Sequence, residues 1–125
     1  MKILGIDFGL AKIGLAIADN SLAQPLGVVR NCQKTLTKIV RLTRQEQIEK
    51  IVIGVSQGEI GQKAKEYGKK LGQKAGLKIS FQDETLTTRE AIDKMIEVGK
   101  KKKYRQEKED AFAAAIILQT YLDRS

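Results

Sequence analysis

Lys2-Ile3-Leu4-Gly5-Ile6-Asp7-Phe8-Gly9-Leu10-Ala11-Lys12-Ile13-Gly14-Leu15-Ala16-Ile17-Ala18-Asp19 is two apolar runs joined by a short, glycine-bearing turn. Runs of this length with a β-branched share predict a β-hairpin, with strands over Lys2–Phe8 and Ile13–Ala18. One residue breaks the first run. Asp7 is a carboxylate closing an otherwise apolar strand, and such a group is costly to bury without a partner. Beside it, Gly9 lets backbone approach a ligand closely. Lys12 offers Asp7 a plain salt bridge on one reading; on the other, Asp7 serves a metal ion or a phosphate.

Outward from the hairpin, a third strand is expected over Leu26–Arg30, after a loop at Pro25, the only proline. Leu36, Ile39, Val40, Leu42 and Ile48 recur at roughly helical spacing and predict an amphipathic helix from Leu36 to Ile48. Ile51–Val55 is a short continuous apolar run, suited to a strand covered on both faces. A helix over about Ile60–Ala75 follows, stopped by Gly76, and then a strand over Ile79–Gln82. Thr87 and Glu90 have the spacing of a capping box and open a helix reaching Val98 and ending at Gly99. The last helix spans about Lys108 to Leu122. Three strands in an antiparallel meander followed by strand–helix alternation give an α/β fold with a five-stranded mixed sheet and helices on its faces. The 125 residues fit a single domain over 1–125.

The charge is +8, from 23 Lys and Arg against 15 Asp and Glu. That balance favours a polyanionic partner, nucleic acid first, because each neutralised phosphate releases counterions. There is no histidine, which excludes Ser-His and Cys-His nucleophiles, an imidazole base and histidine metal sites. Cys32, the single cysteine, has no disulfide partner within the chain and is expected to be a small buried or half-buried side chain. No apolar run approaches the ~20 residues of a membrane span, and no signal segment precedes the first strand. A soluble, cytoplasmic protein is expected; the sequence leaves oligomeric state open, a homodimer included.

Chemistry without histidine must rest on carboxylates and on metal held by oxygen. Asp83-Glu84 closes the last strand, at the end where open α/β sheets place their ligands. The plain alternative is an acidic pair favoured by a following helix dipole. Asp110 opens the final helix, whose Ala111–Leu118 run is apolar all round. Converging carboxylates of this kind suit magnesium or manganese. Two such metals can stabilise the attacking and leaving oxygens of a phosphoryl displacement with no protein base.

Immediately before Asp110, Lys100, Lys101, Lys102, Lys103, Arg105 and Lys108 place six cations within nine residues. Tyr104 among them offers a ring for base stacking. As a loop beside an active-site acid, this run would grip phosphates and position the strand rather than read its sequence. Gly54-Val55-Ser56-Gln57-Gly58 matches a nucleophile elbow, but without histidine there is no triad. It reads as a glycine-bearing loop at a strand end.

The segments Leu4-Gly5-Ile6-Asp7-Phe8-Gly9 through Ile13-Gly14-Leu15-Ala16, Ile51-Val52-Ile53-Gly54, Asp83-Glu84-x-Leu86-Thr87-Thr88 and Asp110-Ala111-x-Ala113-Ala114-x-Ile116-Ile117-Leu118-Gln119 together resemble the YqgF (RuvX-like) family. The resemblance implies a ribonuclease H-like fold and a divalent-metal nuclease using Mg2+ or Mn2+. The family is described both as a Holliday junction resolvase and as the nuclease maturing the 5′ end of pre-16S ribosomal RNA. Its partners would be pre-rRNA or branched DNA, with no membrane. Carried over by position, Asp7, Glu84 and Asp110 would be the catalytic and metal-binding acids, with Asp83 as the substitute for Glu84. Thr87 and Thr88 would be paired hydroxyls at the nucleic acid, alongside Lys12. The family usually carries arginine where Lys12 and Thr85 stand, and often proline where Ser56 stands. Lysine keeps the charge but loses a bidentate grip on phosphate.

Two rival functions remain in view. The Gly5–Gly9 segment also resembles the phosphate-binding start of the actin, Hsp70 and sugar-kinase group, which needs a second lobe that 125 residues do not supply. A non-catalytic RNA-binding module of ribosome assembly would keep the fold and the basic loop, and Thr85 in place of arginine fits that reading.

Overall fold

The computed structural model describes residues 1–101 and 111–124. The hairpin forms as expected: β1 (Lys2–Phe8) pairs antiparallel with β2 (Lys12–Asp19). β3 (Ala23–Arg30) starts three residues earlier than the sequence suggests and takes Pro25 into the strand. The missing N–H is harmless there, because β3 is an edge strand of the order β3-β2-β1-β4-β5. A register shift opposite Leu15 and Ala16 leaves Leu26 unpaired between Pro25 and Gly27, a bulge in the edge.

Helix α1 (Thr35–Gln45) stops before Ile48. Gln47 turns into positive φ, at 57°, and the Ile48 N–H reaches back to the Thr43 carbonyl at 2.8 Å, so Ile48 is buried by the turn rather than by helix. β4 (Lys50–Val55) pairs parallel with β1, and α2 (Glu59–Ala75) leads to β5 (Lys78–Asp83), parallel to β4. Gly76 ends α2 in the left-handed region, as its position predicts. A short 3-10 turn (Glu84–Leu86) precedes α3 (Arg89–Lys101), which runs through Gly99, so Lys100 and Lys101 belong to helix rather than loop. The last helix is described as α4 (Phe112–Arg124).

Side-chain alternation sorts the strands between two layers. Leu4, Ile6, Ile13, Leu15, Ile51 and Ile53 pack under Ile39 and Val40 of α1 and Ala64 and Leu71 of α2. Ile3, Ala16, Ala18 and Val52 pack on the other face under Met95 and Val98 of α3 and Ala114, Ala115, Ile117 and Leu118 of α4. α4 lies so close to β1 that a Cβ added at Gly5 would come 2.8 Å from the Leu118 Cβ. Gln119, fully buried, ties this helix to the meander: its amide accepts from the Ala23 N–H at 2.9 Å and donates to the Ser21 carbonyl at 3.0 Å. Among the described residues, no helix is long and apolar enough to cross a membrane.

Candidate active site

Asp7 stands at the carboxyl end of β1, opposite Gly14 of β2 and Gly54 of β4. Alternation puts Ile3, Gly5 and Asp7 on the α4 face, where a pocket of about 230 Å³ is lined by Asp7, Glu84, Thr87, Ile92, Ala113, Ile116 and Ile117. Glu84 reaches Asp7 because the 3-10 turn after β5 carries it back over β4. Gly54 is the seat that allows this: a Cβ there would lie 2.9 Å from Glu84 Oε1 and 2.4 Å from Ile117 Cδ1.

The two carboxyl groups are hydrogen-bonded, and the Glu84 carboxyl is pushed up to about 7. Burial is the first cause; the hydrogen bond to Asp7 and the negative charges of Asp7 and Asp83 follow. The Glu84 carboxyl is therefore only partly ionised near neutral pH. Among the described residues Asp7 has no ion pair, so the salt bridge with Lys12 does not form; Lys12 is exposed at the start of β2.

Asp83 takes a different direction from Glu84. It is exposed, lines a separate cavity of about 400 Å³ with Ser56, Gln57, Gly58, Lys65 and Phe81, and is held by Thr85. The Thr85 hydroxyl and N–H donate to Asp83 Oδ1 at 2.7 and 2.9 Å, and these bonds lower the Asp83 carboxyl. Of the acidic pair, Glu84 is the residue brought to Asp7. The elbow-like Gly54–Gly58 segment lies between the two cavities, with Gly54 under Glu84 and Ser56 to Gly58 on the wall of the larger one.

The two threonines divide. Thr87 lines the Asp7 pocket, whereas the Thr88 hydroxyl accepts the Ala91 N–H at 3.1 Å and caps α3. The cap is therefore one residue later than the sequence suggests, and the Thr87–Glu90 box does not form. Lys100 is exposed, its Nζ 3.5 Å from Glu97 Oε1. Lys102, Lys103, Tyr104, Arg105 and Asp110 lie outside the described residues. Among the described residues no three acidic, histidine or cysteine side chains gather as a metal cluster; the described carboxylates at the pocket are Asp7 and Glu84. Cys32, expected inside, is exposed on the turn before α1, where a hydrogen bond from Thr35 leads the causes that lower its thiol.

Two features of the site escaped the sequence reading. Gly54 looked like part of a serine motif rather than a platform. The apolar wall of Ala113, Ile116 and Ile117 was legible only as core, although its i, i+3, i+4 spacing marks one helical face.

The family model for RuvX, described as Holliday junction resolvase, matches residues 1–124. The chain belongs to the RuvX family. A relative from Agathobacter rectalis named "Putative pre-16S rRNA nuclease" is 37% identical over 136 residues, covering 98% of this chain and 95% of that protein. One of the same name from Sulfurihydrogenibium is 39% identical over 133 residues, covering 98% and 90%. Among solved structures, RuvC of Thermus thermophilus in complex with Holliday junction substrate superposes on this family member with a TM-score of 0.68 at 17% identity, covering 100% of this chain and 96% of that one. The fowlpox virus Holliday junction resolvase gives 0.61 at 15% identity, covering 99% of each. Identities this low establish the shared ribonuclease H-like fold and nothing about substrate.

Proposed function

We propose that this chain is a divalent-metal-dependent nuclease that hydrolyses phosphodiester bonds of structured nucleic acid, acting in 5′-end processing of pre-16S rRNA. The observation that carries the reading is the Asp7–Glu84 pair, two acids brought together in a half-buried pocket at the carboxyl ends of parallel strands, with the Glu84 carboxyl pushed up by burial and by its neighbour. Like charges are gathered at such a cost where a cation relieves them. The donors are hard oxygens with no histidine, a set that fits Mg2+ or Mn2+. Asp7 and Glu84 would hold the metal, with Asp110 as the third acid that the family resemblance implies. When bound, the metal supplies a polarised water and neutralises charge building on the phosphate.

The chain's own residues do the rest. The wall of Ile92, Ile116 and Ile117 keeps bulk water from the carboxylates and strengthens every charge interaction inside. Thr87 offers a hydroxyl to the substrate beside Glu84, and Lys12 with the Lys100–Arg105 run supplies cations to flanking phosphates. The relatives' name supports ribosomal RNA as substrate, and a cytoplasmic protein fits that work. The family description supports a second reading, cleavage of branched DNA.

Cleavage of a labelled 16S precursor leader and of a four-way DNA junction, with manganese, magnesium or EDTA, tests this reading. Metal-dependent cutting is expected in the wild type and lost in Asp7→Ala, with binding kept. The preferred substrate decides between RNA and DNA. Binding without cutting in any metal would replace the nuclease with the assembly-module reading.

A further inference from the structure

Residues 20–45 contain no aspartate or glutamate, and they carry Arg30, Lys34, Lys38, Arg41 and Arg44. This segment is β3, the turn after it and α1. The turn is fastened to the β1–β2 hairpin turn that follows Asp7. The Asn31 side chain donates to the Gly9 carbonyl at 2.8 Å, and the Asn31 N–H donates to the Ala11 carbonyl at 2.9 Å. The buried Thr35 hydroxyl donates to the Arg30 carbonyl.

Arg30 pairs directly with Lys12 across the β2–β3 ladder. Opposed residues of an antiparallel pair share a face. Lys12 is two residues from Gly14, itself opposite Asp7, so all three project from one face at one end of the sheet. Arg30 therefore stands two strands across the sheet from Asp7 and two residues further along, on the order of 12 Å away. Beyond Asn31 the chain rounds the β3 edge to the other face of the sheet, where Lys34, Lys38 and Arg41 follow at i, i+4 and i+7 along the outer face of α1, over about 10 Å. All four side chains are exposed, and none has an ion pair among the described residues.

We infer that Arg30, Lys34, Lys38 and Arg41 form a second nucleic-acid contact, a band of cations around the β3 edge of the sheet that takes the phosphate backbone of a duplex arm passing from the catalytic pocket over that edge. The inference rests on the nuclease reading and extends it to substrate class. A single strand would be met by stacking rings, yet no aromatic residue occurs between Phe8 and Tyr67. Cations spaced along a rigid strand end and helix, without rings, suit a backbone whose bases are already paired. Arg30 also restores a planar guanidinium beside Lys12, where lysine alone provides a point charge.

The test compares a strand carrying the cleavage site alone with the same strand bearing a hairpin arm, across a salt series with magnesium. Wild type is expected to bind and cut the armed substrate at lower concentration, with a steeper salt dependence. Arg30→Gln/Lys34→Gln/Lys38→Gln/Arg41→Gln should lose that advantage, its slope falling by up to about 3–4, at about 0.9 for each phosphate no longer neutralised. A control of equal charge change, Lys63→Gln/Lys69→Gln/Lys70→Gln/Lys74→Gln on α2, should keep it. The band is refuted if the first variant retains the wild-type preference for the arm, or if the control loses as much. A wild type that cuts both substrates equally refutes the band alone, whereas one that cuts neither refutes the nuclease reading with it.

Discussion

Gly54→Ala adds a single methyl group under the catalytic pair, and its consequence can be worked from the surrounding distances. The new carbon would lie 2.9 Å from Glu84 Oε1 and 2.4 Å from Ile117 Cδ1. Ordinary contact begins near 3.4 Å, so the Glu84 carboxyl must retreat by about half an ångström, and the Ile117 methyl by more. Overpacking of this kind costs about 1–3 kcal/mol. For 125 residues each kcal/mol lowers Tm by about 4 °C, so a fall of about 4–12 °C is expected. A misplacement of 1 Å costs on the order of 100-fold in rate, so a carboxylate displaced by half that is expected to cost about 10-fold. Nucleic-acid affinity should stay near the wild-type value, because no phosphate-binding side chain is touched. Thermal melts, single-turnover cleavage and filter binding read the three quantities separately. The double variant Gly54→Ala/Ile117→Val frees the space taken from Ile117 and should recover Tm without recovering cleavage, since the clash with Glu84 persists. Full cleavage by Gly54→Ala, or rescue of cleavage by the second change, would refute the claim that Gly54 seats Glu84 against Asp7.

Glu84 also sets a pH dependence. Its carboxyl moves from an ordinary 4.5 up to about 7 on folding, so the metal-free folded chain holds a proton that the unfolded chain releases. Stability should therefore fall as pH rises from 4.5 to 7. Magnesium should reverse the trend by displacing that proton, and Glu84→Gln should flatten it; melts with and without EDTA check all three. Thr88→Ala removes the α3 cap and should cost about 1 kcal/mol, or about 4 °C in Tm. Thr87→Ala should instead leave Tm within a degree or so and slow cleavage, and the reverse ranking would misplace the two hydroxyls. Neutralising Lys100 to Lys103 should reduce the salt dependence of binding by about 0.9 for each phosphate these lysines neutralise; an unchanged slope would return them to plain surface charge.

The hairpin, the two parallel strands and the helices were legible because each carries its periodicity within a few residues: Ile3 to Phe8 reads locally, as does Ile39-Val40. What failed was decided by groups distant in sequence or by one-residue choices. Pro25 reads as a strand breaker until β3 is known to lie at an edge. Thr87 and Thr88 are equally good caps on paper, and the path of the preceding 3-10 turn selects the second. Ile48 continues the helical spacing of Leu36 and Ile39, but the reversal at Gln47 buries it by another route. Asp7 could be singled out by its cost within an apolar strand. Its meeting with Glu84 depends on the order β1-β4-β5 and on a missing side chain at Gly54, which no local pattern records.

The hold of α4 on the meander has a bearing on when the enzyme comes into being. Ala23 finds the partner for its N–H in Gln119, 96 positions later in the chain. Gly5 is roofed by Leu118, and three of the seven residues lining the pocket are Ala113, Ile116 and Ile117. The layer under α1 and α2, by contrast, is built wholly from residues between Leu4 and Ile79. A nascent chain still lacking its final helix can bury one face of the sheet while the other stays open to water. It then has Asp7 and Glu84 but no cleft around them. Cutting competence thus arrives only once α4 has been made, so a copy still without it is already part-folded yet harmless to the RNA around it.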